Sequence, residues 1–233
     1  VKNRKYLNFF DGVYYINLDE RQDRRELFEK RSKTHDIEAI RFPGIIPKDG
    51  EFSQLINGYD PLRKFKVGCS LSHQAVIKMA KESEYENVLI FEDDCVFSDN
   101  FKEVAQNCVN ELKNINWNIM YFGGLPNNYC ESRVSKNLYK MGDNDGVYCL
   151  HAYAVHNSFY DKILEVDANS ILTIDNFFVS SPSIKILSSD IIALQDDDLY
   201  SNLWGYVKKS SMQNSLIESW NKYVINNELI VAL

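Results

Sequence analysis

The chain has 233 residues, 45% of them hydrophobic, with 14 Tyr and 13 Phe, enough for one sizeable core. Its 26 basic and 33 acidic residues leave a net charge of -7, which argues against a general nucleic-acid binder. No apolar run approaches the roughly 18–20 residues that span a bilayer, and no apolar signal segment follows the first five residues. A cytoplasmic chain without a membrane span is therefore expected. The five cysteines (Cys69, Cys95, Cys108, Cys130, Cys149) are scattered without a CxxC pair. That pattern predicts neither a disulfide framework nor a zinc site.

Val13–Leu18 reads as a first, central strand, and Asp23–His35 as a helix with Leu27, Phe28 and Arg31 on one side. Ile40–Phe42 is a second short strand. Gly and Pro clusters from Pro43 to Val67 predict a long irregular connection, of a kind that often carries function. Ser70–Lys81 then fits a helix capped by Ser70, with Ala75, Val76, Met79 and Ala80 facing inward.

Val88–Phe97 is the most informative stretch. A buried strand of parallel type runs into Glu92, Asp93 and Asp94 and returns to apolar residues. On one strand Glu92 and Asp94 share a side, roughly 6–7 Å apart, where their repulsion costs about 2–3 kcal/mol at an effective dielectric near 20. A bound cation offsets that cost. A strand end running out into water lowers it to about 0.6 kcal/mol, and the stretch alone leaves both readings open.

A helix over about 100–115 and a strand over Trp117–Phe122, closed by Gly123 and Gly124, complete the first half. The second half holds a strand at Tyr148–Val155, a short helix at Ser158–Val166, and short strands at Ile184–Ile186 and Ile191–Ala193. An amphipathic segment from Ser210 places Leu216, Ile217, Trp220 and Tyr223 at helical spacing. The alternation predicts an α/β domain with a mostly parallel central sheet and helices on both faces. A ligand then sits beyond the carboxyl ends of the strands, where Asn17 and Asp93-Asp94 share an edge.

Several clusters could carry chemistry. Arg21, Arg24 and Arg25 oppose the dipole of the first helix by a few tenths of a kcal/mol, which suggests a use on a base or phosphate. Local pairing with Asp19, Glu20 and Asp23 is the plainer alternative. Gly68 followed by small hydroxyl residues at a helix start suits an anionic or polar ligand, with Ser70 as a simple cap the competing reading. His151, on an alternating strand, reads first as a hydrogen-bonded core histidine. Asp175 lies between Ile174 and Phe177-Phe178, whose burial poises it as a proton acceptor unless it caps a helix. Asp196–Asp198 reads as a solvated turn.

Taken in order, the blocks YYINLDERQDRR, GCSLSH, VLIFEDDCVF, HAYAV and TIDNFF resemble glycosyltransferase family 25, over about Val13 to Gln195. The family includes bacterial lipooligosaccharide galactosyltransferases and the collagen-modifying galactosyltransferases. The resemblance implies a single domain of GT-A type, a Rossmann-like nucleotide-sugar fold. Its nucleotide-binding half spans about 10–125, its acceptor-side half about 126–209, and a C-terminal amphipathic segment about 210–233.

It also implies a metal-dependent, inverting transfer of galactose or glucose from a UDP-sugar to a hydroxyl of a glycan or of hydroxylysine, with Mn²⁺ or Mg²⁺ as cofactor. By position, Asn17, Leu18, Arg21 and Arg24 fall in the nucleotide-binding block, and Gly68, Ser72 and His73 near the donor. Asp94 is expected to bind the metal with His151, Asp93 the ribose, Glu92 the sugar or a metal-bound water, and Asp175 to act as catalytic base. One departure stands out. Asn202 falls where relatives carry Asp, so the register shifts to Asp196–Asp198 or a carboxylate role is lost. The alternative function is a catalytically impaired nucleotide-sugar or carbohydrate-binding relative. A nucleotidyltransferase fits worst, because Asp19–Gln22 follow the first strand where such enzymes carry a Gly-rich loop.

Overall fold

A computed structural model describes residues 6–48, 63–168, 173–201, 206–207 and 212–224. In chain order these form β1 (Gly12–Asn17), α1 (Gln22–Thr34), β2 (Ile40–Pro43), α2 (Arg63–Glu82), β3 (Asn87–Glu92), β4 (Cys95–Phe97), α3 (Phe101–Leu112) and β5 (Ile119–Tyr121). The second half adds β6 (Leu125–Pro126), β7 (Cys130–Arg133), β8 (Leu138–Met141), β9 (Val147–Tyr148), β10 (Ala152–His156), α4 (Tyr160–Leu164) and α5 (Ile174–Ser180). It closes with β11 (Lys185–Ser188), β12 (Ala193–Gln195), β13 (Tyr200–Ser201), β14 (Tyr206–Val207) and α6 (Met212–Tyr223).

Eight strands form the central sheet, in the order β2-β1-β3-β10-β5-β11-β8-β7. β1 pairs parallel with β2 and β3, and β5 with β11, while β10 runs antiparallel between β3 and β5. The architecture is a Rossmann-like α/β fold, but its sheet is mixed rather than mostly parallel as the alternation predicted. The reason is physical. Ala152–Val155 of β10 are buried on both faces, as a central parallel strand would be, so their residue types carry no mark of the reversed direction.

Alternate residues divide the core between the two faces. Val13, Tyr15, Leu89 and Phe91 join Phe28 of α1 and Phe101, Ala105 and Cys108 of α3. On the other face Tyr14, Val88, Ile90 and Tyr153 join Val76 and Ile77 of α2, Tyr160 and Ile163 of α4, Phe178 of α5 and Trp220 of α6. Helix α6 docks on the domain, because Trp220 is fully buried and its indole N–H donates to the Ser188 carbonyl at 3.2 Å.

Two local expectations change. Val88–Phe97 is not one strand: the chain turns at Asp93-Asp94, and β4 leaves to pair antiparallel with β12. The helix expected over Ser70–Lys81 begins at Arg63, so Gly68 and Ser70 lie inside it, and the Ser70 hydroxyl donates back to the Lys66 carbonyl at 3.1 Å instead of capping. Gly68 misled the boundary, since an interior glycine costs a helix about 1 kcal/mol relative to Ala. Its position has a packing cause. A methyl group there would collide with the Ile45 carbonyl, against which α2 is pressed.

Candidate active site

The carboxyl ends of β1, β2 and β3 lie side by side, with Ile16 opposite Glu92 and Asn17 opposite Pro43. A cavity opens there, at the edge where ligands sit in open α/β sheets. Its floor is Ile16–Leu18, Arg24 and Glu92–Asp94. Gly44–Ile46 and Phe65, Cys69, Ser72 and His73 of α2 form one wall, and Gln195–Asp197, Leu199 and Met212 the other.

The acidic turn is the centre of this site. Asp93 is only 5% exposed. It accepts from Asn17 Nδ2 at 2.7 Å and pairs with Arg24 Nη1 at 2.9 Å, while Arg24 Nη2 pairs with Asp94 Oδ2 at 2.6 Å. Burial pushes the Asp93 carboxyl up to about 7 against the pull of Arg24, and it raises Asp94 in the same direction. For Glu92 burial is the largest influence and also opposes ionisation, but the hydrogen bond with His73 (Nε2 to Oε1, 3.2 Å) and the charges of His73, His151 and Arg24 together hold the group below its ordinary value. One guanidinium therefore serves two carboxylates. A chain that turns between them delivers both to it, which a straight strand could not.

Arg41, unassigned from sequence, fixes Asn17. Its Nε donates to Asn17 Oδ1 at 2.9 Å and its Nη2 to the Asn17 carbonyl at 3.1 Å, so the amide must turn its NH₂ toward Asp93 and the Arg21 carbonyl. The only signal in the sequence was a charged residue inside a short strand. Tyr153 was also passed over; its hydroxyl lies 2.8 Å from His73 Nδ1.

The other sequence-derived candidates separate by position. Leu18, Arg24, Ser72, His73 and the three carboxylates of the acidic turn line the cavity together. The Ser72 hydroxyl is engaged in holding the wall, donating to the Gly68 carbonyl at 2.6 Å and accepting from the Ile45 N–H at 2.8 Å. Arg21 is outside the lining and forms a two-point pair with Asp23, at 2.9 and 2.8 Å. His151 is fully buried behind the cavity, where its Nε2 donates to the Ala193 carbonyl at 2.9 Å. Asp175, in the first turn of α5, is also outside the lining. It accepts from Thr173 Oγ1, from the Asn176 N–H at 3.0 Å and from the Cys149 N–H at 3.3 Å.

The Asp196–Asp198 run, expected as a solvated turn, instead contributes Asp196 and Asp197 to the cavity wall. Asp196 pairs with Arg31, and its N–H donates to the Asp94 carbonyl at 2.8 Å. Asp197 is 7% exposed and accepts from the Gln213 N–H at 3.0 Å. The long-range pairing of β12 with β4 draws this turn inward, and local sequence carries no record of that pairing. Asn202 lies outside the described residues.

The donor set can accept a hard cation at one point. Asp94 Oδ1 is buried without a hydrogen-bond partner, as is Asp197 Oδ1, whereas both oxygens of Asp93 are engaged. Carboxylate oxygen suits Mn²⁺ or Mg²⁺.

Comparison with known proteins places the chain in a family. Residues 10–142 match the model of "Glycosyltransferase family 25 (LPS biosynthesis protein)". Procollagen galactosyltransferase 2 of Mus musculus is 26% identical over 185 residues, covering 72% of this chain and 30% of that protein. A glycosyltransferase 25 family member of Drosophila melanogaster is 32% identical over 127 residues, covering 48% of this chain and 21% of that protein. The chain thus spans less than a third of the length of these relatives. Among solved structures, UDP-glucose pyrophosphorylase complexed with UDP-glucose superposes with a TM-score of 0.43 at 9% identity, over 91% of this chain and 80% of that one. No described helix is long and apolar enough to cross a membrane. With more than half of its length matched by the family model, the chain belongs to glycosyltransferase family 25.

Proposed function

We propose that this chain transfers a hexose, galactose or glucose, from a UDP-sugar to a hydroxyl of a glycan or of a hydroxylysine-type side chain, with inversion. The observation that carries the reading is the acidic turn, held by Arg24 and Asn17 on the floor of a cavity at the carboxyl ends of β1–β3. The galactosyltransferase names of the relatives support the choice of sugar.

Asp94 is the residue proposed to hold a divalent cation through its unpartnered Oδ1. Such an ion, when bound, offsets charge developing on the diphosphate leaving group. The chain's own residues do the rest. Asn17 holds the Asp93 carboxylate at the cavity floor, where that carboxylate can accept from ribose hydroxyls, and the Arg24 guanidinium keeps adjacent carboxylates together in a low-dielectric floor. Glu92, oriented by His73, faces the cavity and can accept from sugar hydroxyls.

The acceptor oxygen must lose its proton as the new bond forms, so a carboxylate base is required, worth about 10²–10⁴-fold. Asp175 has this role by family resemblance. Asp197 has it by position, because it lines the cavity with an unpartnered oxygen. The two are separable: Asp197→Asn and Asp175→Asn are compared for transfer and for UDP affinity. We expect Asp197→Asn to lower transfer by at least about 10²-fold with UDP affinity nearly unchanged. The same result in Asp175→Asn, with Asp197→Asn near wild type, returns the base to Asp175.

The reading as a whole is tested by UDP release from UDP-galactose, UDP-glucose and the N-acetyl sugars in the presence of Mn²⁺. Retention of donor without transfer or hydrolysis under any acceptor supports the binding-only alternative. Equal UDP affinity with Mn²⁺ and with EDTA removes the metal from the reading.

A further inference from the structure

Cys69 and His73 lie one helical turn apart on the cavity face of α2, and Glu92 reaches them from the end of β3. One ligand atom from each, a sulfur, an imidazole nitrogen and a carboxylate oxygen, lies within 4.8 Å of the other two. His73 Nε2 and Glu92 Oε1 are 3.2 Å apart. That separation is close to the edge of a tetrahedron, about 3.3 Å, built from metal–ligand bonds of about 2.0 Å. The opposite nitrogen of the ring, Nδ1, is held by the Tyr153 hydroxyl at 2.8 Å. A hydrogen bond of that kind fixes ring orientation and tautomer where histidine binds zinc.

We propose that Cys69, His73 and Glu92 form a binding site for a thiophilic divalent cation, zinc above all, whose fourth position opens to the cavity. The site is separate from the hard-cation role of Asp94 and stands whether or not the transferase reading holds. One sulfur, one nitrogen and one oxygen ligand select Zn²⁺ over Mg²⁺ or Mn²⁺. The surroundings favour a cation, since Glu92, Asp175, Asp94 and Asp93 all add negative potential at Cys69. Burial and those charges keep the thiol protonated until an ion arrives. On binding, the S–H bond breaks, its electron pair goes to the metal and the proton to solvent. The ion takes the place of the direct His73–Glu92 hydrogen bond. Because Glu92 faces the donor cavity, an occupied site competes with the sugar for that carboxylate.

The test uses the whole chain and Co²⁺ as a spectroscopic probe. We expect a one-to-one complex with thiolate-to-cobalt absorption in the near ultraviolet and intense tetrahedral visible bands, both displaced by Zn²⁺. Cys69→Ser should abolish the thiolate band and weaken Zn²⁺ binding, and Tyr153→Phe should keep the band but weaken Zn²⁺ by about tenfold. Asp94→Asn should keep the thiolate band and weaken Zn²⁺ only by the loss of a nearby charge, less than Cys69→Ser does, which separates this site from the acidic turn. Near-ultraviolet circular dichroism checks that each variant is folded, and Cys69→Ala replaces Cys69→Ser if that one is not. Absence of a thiolate band in the wild type overturns the proposal without any variant. A band that survives loss of Cys69 overturns it as well.

Discussion

Arg24 is the cation that the acidic turn collects from within its own chain. The dipole argument marked three arginines at the start of α1 as purposeful, and one of them reaches the site. Arg25 forms an exposed pair with Glu29 and Arg21 pairs with Asp23, whereas Arg24 enters the floor of the cavity with its side chain 12% exposed. Which arginine turned inward depends on the turn after β3, where Asp94 lies 70 residues away in sequence. Removing it leaves two buried carboxylates without a counterion. Arg24→Met should therefore cost about 3 kcal/mol, the lower end of the range for breaking a buried pair, measured by urea unfolding. Arg24→Lys should recover only part of that, because an ammonium cannot bridge two carboxylates as a planar fork does. A midpoint unchanged in Arg24→Met would mean that the turn is held by Asn17 and the backbone alone.

At the scale of elements, the contact of α2 with the segment after β2 sets the shape of the cavity wall. Gly68 allows the approach, and Ser72, one turn later, holds the Ile45 N–H. The sequence showed a Gly-and-serine cluster at a helix, open between a ligand site and a simple cap, and the family resemblance placed it near the donor. The structure uses it largely to bind backbone to backbone, a role that has the same residue requirements and so the same signature. Gly68→Ala supplies a better helix former but drives its methyl group into the Ile45 carbonyl. Overpacking of that kind costs about 1–3 kcal/mol, more than the roughly 1 kcal/mol gained in propensity. The expected outcome is a lower thermal midpoint together with faster amide exchange at Ile45. A raised midpoint would show that α2 can shift away from the loop at no cost.

At the scale of the whole molecule, Lys185 joins separate parts of the second half. It is fully buried in β11, and its Nζ donates to the carbonyls of Asp143 at 3.2 Å, Val179 at 3.2 Å and Ser181 at 2.8 Å. Burial pushes its ammonium down to about 8 from an ordinary value of 10.5. Between those two values the unfolded chain binds the proton and the folded chain has released it. Stability from this group therefore rises with pH across that window, and the penalty of burying the charge is fully present below about pH 8. Lys185→Met should flatten that part of the profile relative to wild type, read from urea midpoints at pH 7.5, 9 and 10. Parallel profiles for the two proteins would show that the ammonium is not desolvated as the fold suggests.

Taken by itself, the sequence determined the α/β class, the strands that form the floor of the site, and the carboxylates at their ends. Those features rest on short-range patterns: apolar runs, alternation, and charge where a core strand stops. The tertiary structure alone decided the direction of β10, because burial on both faces looks the same whichever way a strand runs. It also decided that Asp196 and Asp197 line the cavity while His151 and Asp175 stand outside its lining. Each of those outcomes depends on pairings between residues far apart in the chain, β4 with β12 and Asp175 with the Cys149 backbone among them. Closing such contacts is governed by the packing of the whole core, so no local window of sequence contains the information.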